Sequence, residues 1–206
     1  CAAAVVRTGP GRQTTAAAQP ADAGVALRPD ALQQGTWTTQ YSGTWETLRA
    51  VHFPDELHGW AVGGEHEFHA VIVRTTDGGR TTGQRLNSPV AQRLYSVAFW
   101  DTQRGWVGGE AGTILRTVDG GNTWWPQSGG TSETILGIEV LGPDEGWAVV
   151  RTGLALHTTD GGASWVRALD TGGTGLFAIS FPDRWSGWVS GTNGLVLELE
   201  VGQAAT

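Results

Sequence analysis

Histidine and carboxylate side chains crowd one short stretch of this 206-residue chain. Four of its five histidines lie between His52 and His69. His66 and His69, beside Glu65 and Glu67, are residue types that hold zinc or another divalent cation. Their spacing matches no specific metal motif, and the plainer expectation is a solvated, lengthened hairpin with no metal and no other cofactor. Asp77, Asp119 and Asp160 form a second candidate set, each opening an Asp-Gly-Gly triplet. As free carboxylates they suit acid–base work or calcium binding. Their repetition points elsewhere: a residue used identically in each copy is expected to close a turn, its carboxylate accepting N–H bonds while the glycines supply positive φ. A third set is cationic. Arg74, Arg116 and His157 recur at one place in successive copies, with Arg49, Arg104 and Arg151 nearby. Together they suit contact with another protein, although any one of them can instead solvate its strand or pair with a neighbouring carboxylate.

Nucleophilic catalysis finds little support. Sialidase-type chemistry needs an arginine cluster, a tyrosine nucleophile and an acid–base carboxylate. The two tyrosines, Tyr41 and Tyr95, have no matching glutamate in a recognisable motif, and no serine stands in a Gly-x-Ser-x-Gly turn. The chain is expected not to be an enzyme.

Composition narrows the scaffold that must position these groups. There are 32 glycines and 11 tryptophans, with one cysteine and no methionine. So much glycine disfavours a helical bundle, and it lacks the period of collagen. No run of 18 apolar residues is present, and a single cysteine excludes an intrachain disulfide. All 13 cations are arginine, against 20 carboxylates, for a net charge of −7. That balance is a poor footprint for nucleic acid or for an anionic membrane surface.

From Gly35 the chain repeats. Gly-Trp pairs start at Gly59, Gly105, Gly146 and Gly187, spaced by 46, 41 and 41 residues. Each follows an alternating apolar stretch (Leu48–Phe53, Leu94–Phe99, Ile135–Val140, Leu176–Phe181) and a polar turn at Asp55, Asp101, Asp144 or Asp183. A third strand leads into the Asp-Gly-Gly turn, and a fourth starts near Trp124 or Trp165. Short strands between glycine turns, four to a unit of this length, predict an all-β fold of β-propeller blades over 35–201. The turns at 117–124 and 158–165 fit Ser/Thr-x-Asp-Gly-Gly-x-Thr/Ser-Trp throughout, with Trp124 and Trp165 covering them; the turn at 75–82 has Thr82 in place of tryptophan.

The run Leu-x-x-Val-x-Phe-x-Asp, Gly-Trp-x-Val-Gly-Gly, Ile-Leu-x-Thr-x-Asp-Gly-Gly-x-Thr-Trp, complete at Leu94–Trp124, resembles the photosystem II assembly and stability factor family of cyanobacteria and plastids. The resemblance covers about 48–201. It implies a seven-bladed, lumenal or lipid-anchored, non-enzymatic propeller that binds early photosystem II intermediates through an arginine-rich surface. Two departures stand out: four repeats are visible, and Glu198 occupies the place of Arg74, Arg116 and His157. The other binding-module reading is a cell-envelope or glycan-binding scaffold built from the same repeats.

Residues 1–34, rich in Ala, Gln, Thr and Pro, are expected to be a disordered tether, and 202–206 a tail. Cys1 followed by Ala2–Ala4 looks like a bacterial lipoprotein after signal-peptide cleavage, with Cys1 carrying the lipid and forming the membrane connection; the missing methionine fits a processed product or a fragment. The last unit stops before an Asp-Gly-Gly turn, whereas Gly35–Gln40 aligns with a fourth-strand segment. An N-terminal strand completing the last blade would close a four-bladed ring, the preferred expectation. An open piece of a larger ring has the same phase.

Overall fold

The computed structural model describes residues 38–65, 70–81 and 83–200. All its sheets lie in the compact unit that includes Tyr41–Thr206. The first sheet holds β1 (Leu48–His52), β2 (Gly59–Gly63), β3 (Val71–Thr75) and β4 (Gln84–Leu86). The second holds β5 (Leu94–Phe99), β6 (Gly105–Gly109), β7 (Thr113–Thr117) and β8 (Trp125–Ser128). The third holds β9 (Ile135–Val140), β10 (Gly146–Val150), β11 (Leu154–Thr158) and β12 (Val166–Asp170). The fourth has β13 (Leu176–Ser180), β14 (Ser186–Gly191) and β15 (Val196–Glu200). Each is an antiparallel meander with its strands in chain order. These are the blades of a propeller, packed face to face with their first strands innermost: β1 against β5, β5 against β9 and β9 against β13.

Alternation builds the joints between blades. Because side chains on a strand point to opposite faces by turns, each sheet carries an apolar layer on both sides. At the first joint Trp60, Val62 and Ile72 of one blade meet Leu94, Phe99 and Leu115 of the next. Trp106 and Ile114 meet Ile135, Ala148 and Leu156 at the second, and Trp147 and Val149 meet Leu176, Ile179 and Val189 at the third. Trp60 lies flat on Phe99, with ring centroids 3.7 Å apart.

Of the two closures that the repeat phase allows, the described blades form the open one. No packing comparable to β9 on β13 joins β13 to β1 among the described residues, and Val51, Trp188 and Val196, which a closed ring would bury, are 41%, 43% and 62% exposed. The closed four-bladed ring is therefore corrected to an arc. The strand expected at Gly35–Gln40 falls outside the described residues save for 38–40, which form no strand.

The glycine of each Gly-Trp pair is explained by close approach. A Cβ built on Gly105 would lie 2.6 Å from the ring of Phe99, and Gly59 and Gly187 are covered in the same way by Phe53 and Phe181. In the third blade Val140 replaces the phenylalanine, and a Cβ on Gly146 would meet nothing closer than 3.5 Å. Gly105→Ala is thus expected to cost about 1–3 kcal/mol through overpacking, whereas Gly146→Ala should be close to neutral. Thermal unfolding of the two variants beside the parent checks the difference.

Candidate functional site

The Asp boxes close their own turns. Thr117 Oγ1, fully buried, donates to Asp119 Oδ1 at 2.9 Å and accepts from the Gly121 N–H at 2.8 Å. The carboxylate also accepts from the backbone and the hydroxyl of Thr123. Gly120 and Gly121 sit at φ of 71° and 86°, where a side chain is strained. The same network surrounds Asp77 through Thr75 and Thr81, and Asp160 through Thr158 and Ser164. Hydrogen bonds to the ionised form lower a carboxyl pKa. The Ser164 hydroxyl, then its N–H and Thr158, hold Asp160 down to about 2; the Thr81 hydroxyl leads the lowering at Asp77. A carboxylate held in this way is a weak general base.

Each box is also bound to its surroundings. Gly120 N–H donates to Gln103 O in the turn between β5 and β6, and Gly161 N–H to Asp144 O in the turn between β9 and β10. The box carbonyl faces the preceding blade. Gly120 O accepts from Trp60 Nε1 at 3.1 Å and from Arg74 at 2.9 Å. Gly161 O accepts from Arg116 at 2.7 Å and from Gln127 Nε2 at 2.7 Å. Arg116 further reaches Pro143 O and pairs with Asp144 at 2.5 Å, its guanidinium centre 5.0 Å from the Trp106 ring. His157 takes the third position: it stacks on Trp147 at 4.2 Å and meets Glu145 at 3.3 Å. The cations related by the repeat are therefore spent as clasps between or within blades, half-buried and engaged.

The remaining candidates divide between the two edges. Arg104 pairs at 2.7 Å with Asp101 of its own turn, on the edge that carries the boxes. Arg49 and Arg151 lie at the other edge. Arg49 reaches Gly64 O and sits 5.2 Å from the centre of the Tyr95 ring. Tyr95 Oη donates to Glu110 Oε1 at 3.1 Å, and Arg93 engages the same oxygen at 3.1 Å. This gives the tyrosine a glutamate partner that sequence reading did not find, because the two stand 15 residues apart on β5 and just after β6. A carboxylate neutralised by a guanidinium is a poor base toward the phenol, so the cluster is better suited to contact than to nucleophilic attack. Arg151 sits in the turn between β10 and β11, and its exposed side chain has no partner among the described residues; exposed Arg85 on β4 and Arg167 on β12 share that state. The sequence signal for these last two was a cation on the outermost strand of alternate blades.

His66 and His69 lie outside the described residues, as does Cys1. No group of three metal-ligating side chains occurs among the described residues.

Comparison with known proteins places the repeats. Residues 82–171 match the family model described as photosynthesis system II assembly factor YCF48. A photosystem II assembly lipoprotein Ycf48 from Synechococcus sp. (strain CC9902) is 36% identical over 77 residues, which are 36% of this chain and 22% of that protein. A chloroplastic photosystem II stability/assembly factor HCF136 from Guillardia theta is 34% identical over 61 residues, 29% of this chain and 15% of its own. The matches thus span under a quarter of either relative. Among solved structures, YCF48 bound to D1 peptide shares the fold at a TM-score of 0.57 and 20% identity, over 84% of each chain. A GH74 enzyme from Niastella koreensis shares it at 0.63 and 17% identity, over 74% of this chain and 28% of that one. The family model thus matches under half of this chain, across the second and third blades.

Two outcomes follow from the clasps and the boxes. Arg116→Ala removes charge-assisted bonds to a carbonyl and a carboxylate of the next blade; about 1.5–3 kcal/mol of stability and a melting point lower by about 5 °C are expected, whereas Arg104→Ala, confined to one turn, should move it far less. Ser164→Ala should raise the Asp160 pKa toward the ordinary aspartate value near 3.9. In the parent the lowered pKa contributes stability that is present above the unfolded-chain value and is lost as pH falls through it toward 2. Carboxyl NMR titration of both proteins measures the shift.

Proposed function

We propose that this chain is a non-enzymatic scaffold that binds another protein, in the manner of the photosystem II assembly factors its repeats match. The observation that carries the reading is the edge holding Arg49 on β1, Tyr95 on β5 and Arg151 in the β10–β11 turn: exposed cations and a polarised aromatic ring, with the reactive carboxylates committed elsewhere. Arginine and tyrosine are the side chains that most often anchor protein contacts. The partner is a photosystem II assembly intermediate, and the D1 peptide held by the related YCF48 is the first ligand to try. Anchoring through a lipid on Cys1, a tether over 1–34, a propeller over 35–201 and a tail over 202–206, on the extracytoplasmic or lumenal side, belong to the same reading. The net charge of −7 speaks against nucleic acid as the partner.

A second reading has one observation in its favour. Trp45 is 72% exposed and meets Tyr41 edge-on, an aromatic platform of the kind on which sugars stack, which suits a cell-envelope glycan scaffold.

Fluorescence anisotropy of a labelled D1 peptide separates the two. The double variant Arg49→Ala, Arg151→Ala should weaken binding about tenfold or more, a loss of at least about 1.4 kcal/mol, and binding to the parent should fall as salt rises. Peptide affinity that is unchanged by the double variant overturns the assignment. Quenching of Trp45 by oligosaccharides in a protein that ignores the peptide would select the glycan reading.

A further inference from the structure

Four side chains stand clear of the joints for one shared reason. In each blade the first and second strands slip register by a single residue near the start of the first strand. Leu48 pairs with Gly63 and Ala50 with Val62, so Arg49 is passed over. Tyr95, Leu136 and Phe177 are passed over in the same way in the next three blades. A bulge of this kind leaves one residue unpaired and re-aims its side chain. Leu94, Ile135 and Leu176, each just before a bulge, are fully buried in the three joints, whereas none of the bulge residues belongs to those apolar clusters.

Residues at one repeat position become neighbours in space, because the four first strands pack on one another in order. Arg49 shows this directly, its guanidinium centre 5.2 Å from the middle of the Tyr95 ring. The row runs Arg49, Tyr95, Leu136, Phe177 across the inner strands. Tyr95 and Leu136 are half-buried, and Phe177 is 49% exposed. A leucine and a phenylalanine that fill no joint add little to the fold, and beside Tyr95 they form a contiguous apolar strip, the kind of surface that marks an interaction site.

Cations flank the strip. The Arg151 N–H donates to Thr134 O at 2.9 Å, which sets this residue beside the start of β9, next to Leu136 in the chain order of its blade. Its exposed side chain has no partner among the described residues. Glu110, by contrast, is already held by Arg93 and the Tyr95 hydroxyl.

We infer that the bulge row is a track for an extended segment of another protein, which lays apolar side chains on Tyr95, Leu136 and Phe177 and offers a carboxylate to Arg151. The inference rests on the protein-binding reading above and adds what the partner must carry. An extended chain suits the row because each blade presents one side chain in a line, and an apolar segment with an acidic group suits an apolar strip with a cation at its flank.

Fluorescence anisotropy with two labelled peptides tests it: the D1 peptide, and a synthetic peptide of leucine, phenylalanine and serine that ends in a free carboxylate. The parent should bind the synthetic peptide. Phe177→Ser and Leu136→Ser should each weaken that binding about tenfold with an unchanged far-ultraviolet spectrum, and so should exchanging the leucine and phenylalanine of the peptide for serine. Arg151→Ala should lower affinity for the free acid and leave that for the C-terminal amide unchanged. A nitroxide on the bound synthetic peptide should broaden the Leu136 methyl signals of the parent and leave those of Leu169 on β12 sharp, a readout that needs no variant. A parent that ignores the synthetic peptide overturns the inference, as does affinity that survives both serine variants or a nitroxide that leaves Leu136 sharp. If D1 peptide binding depends on Arg49 and Arg151 but not on Leu136 and Phe177, the row fails and the protein-binding reading stands. If the synthetic peptide follows the row while the D1 peptide is ignored, the row stands and the photosystem II partner falls.

Discussion

One backbone carbonyl at each of the first two joints organises this molecule. Two glycines at positive φ turn the Asp-box carbonyl outward toward the blade before it, where an indole or a glutamine and a guanidinium converge on it. Apolar layers supply the larger share of the burial, yet they are tolerant of sliding; a carbonyl reached by two donors fixes how one sheet sits on the next. The third joint shows what happens without it. No box follows in the described part of the last blade, and there Trp147 Nε1 is buried with no partner. His157 stands where an arginine would, lying on the indole, and the joint is bridged by Glu145, which binds both His157 and Arg184 of the last blade.

What could be read beforehand was whatever the chain writes within a few residues. The Gly-Trp strands, the Thr-x-Asp-Gly-Gly turns and the alternation of Leu94–Phe99 are local patterns, and β5 to β8 lie within a residue or two of where those patterns put them. The destination of the repeated cations was not legible. Arg74 and Arg116 resemble a surface patch in the sequence because their acceptors lie 46 and 45 residues further on, in the next blade. Tyr95 had a glutamate partner that only pairing of β5 with β6 brings near. Closure escaped for a different reason: an arc and a complete ring have the same repeat phase, and exposure of Trp188 and Val51 is a property of neighbours, not of sequence.

Separate work falls to the two edges as a result. The edge with the boxes holds the clasps, and its charged groups are largely satisfied within or between turns. The opposite edge carries the exposed side chains of Arg49 and Arg151 and the Tyr95 ring. Loops positioned by rigid strands are the usual seat of recognition; on the reading proposed above, rigidity is generated at one rim and contact is made at the other. On that reading, changes that tune partner choice can accumulate without loosening the scaffold.

The face-to-face order of the blades has a thermodynamic consequence. Each sheet touches its immediate neighbours and hardly any other part of the chain. Such a body behaves as a short one-dimensional array, in which stability is a sum of unit terms and nearest-neighbour couplings. Among the described residues the second and third blades show two such couplings each, and the first and fourth show one. Within this stretch the middle pair, each held from both sides, should be the last to lose its hydrogen bonds to solvent.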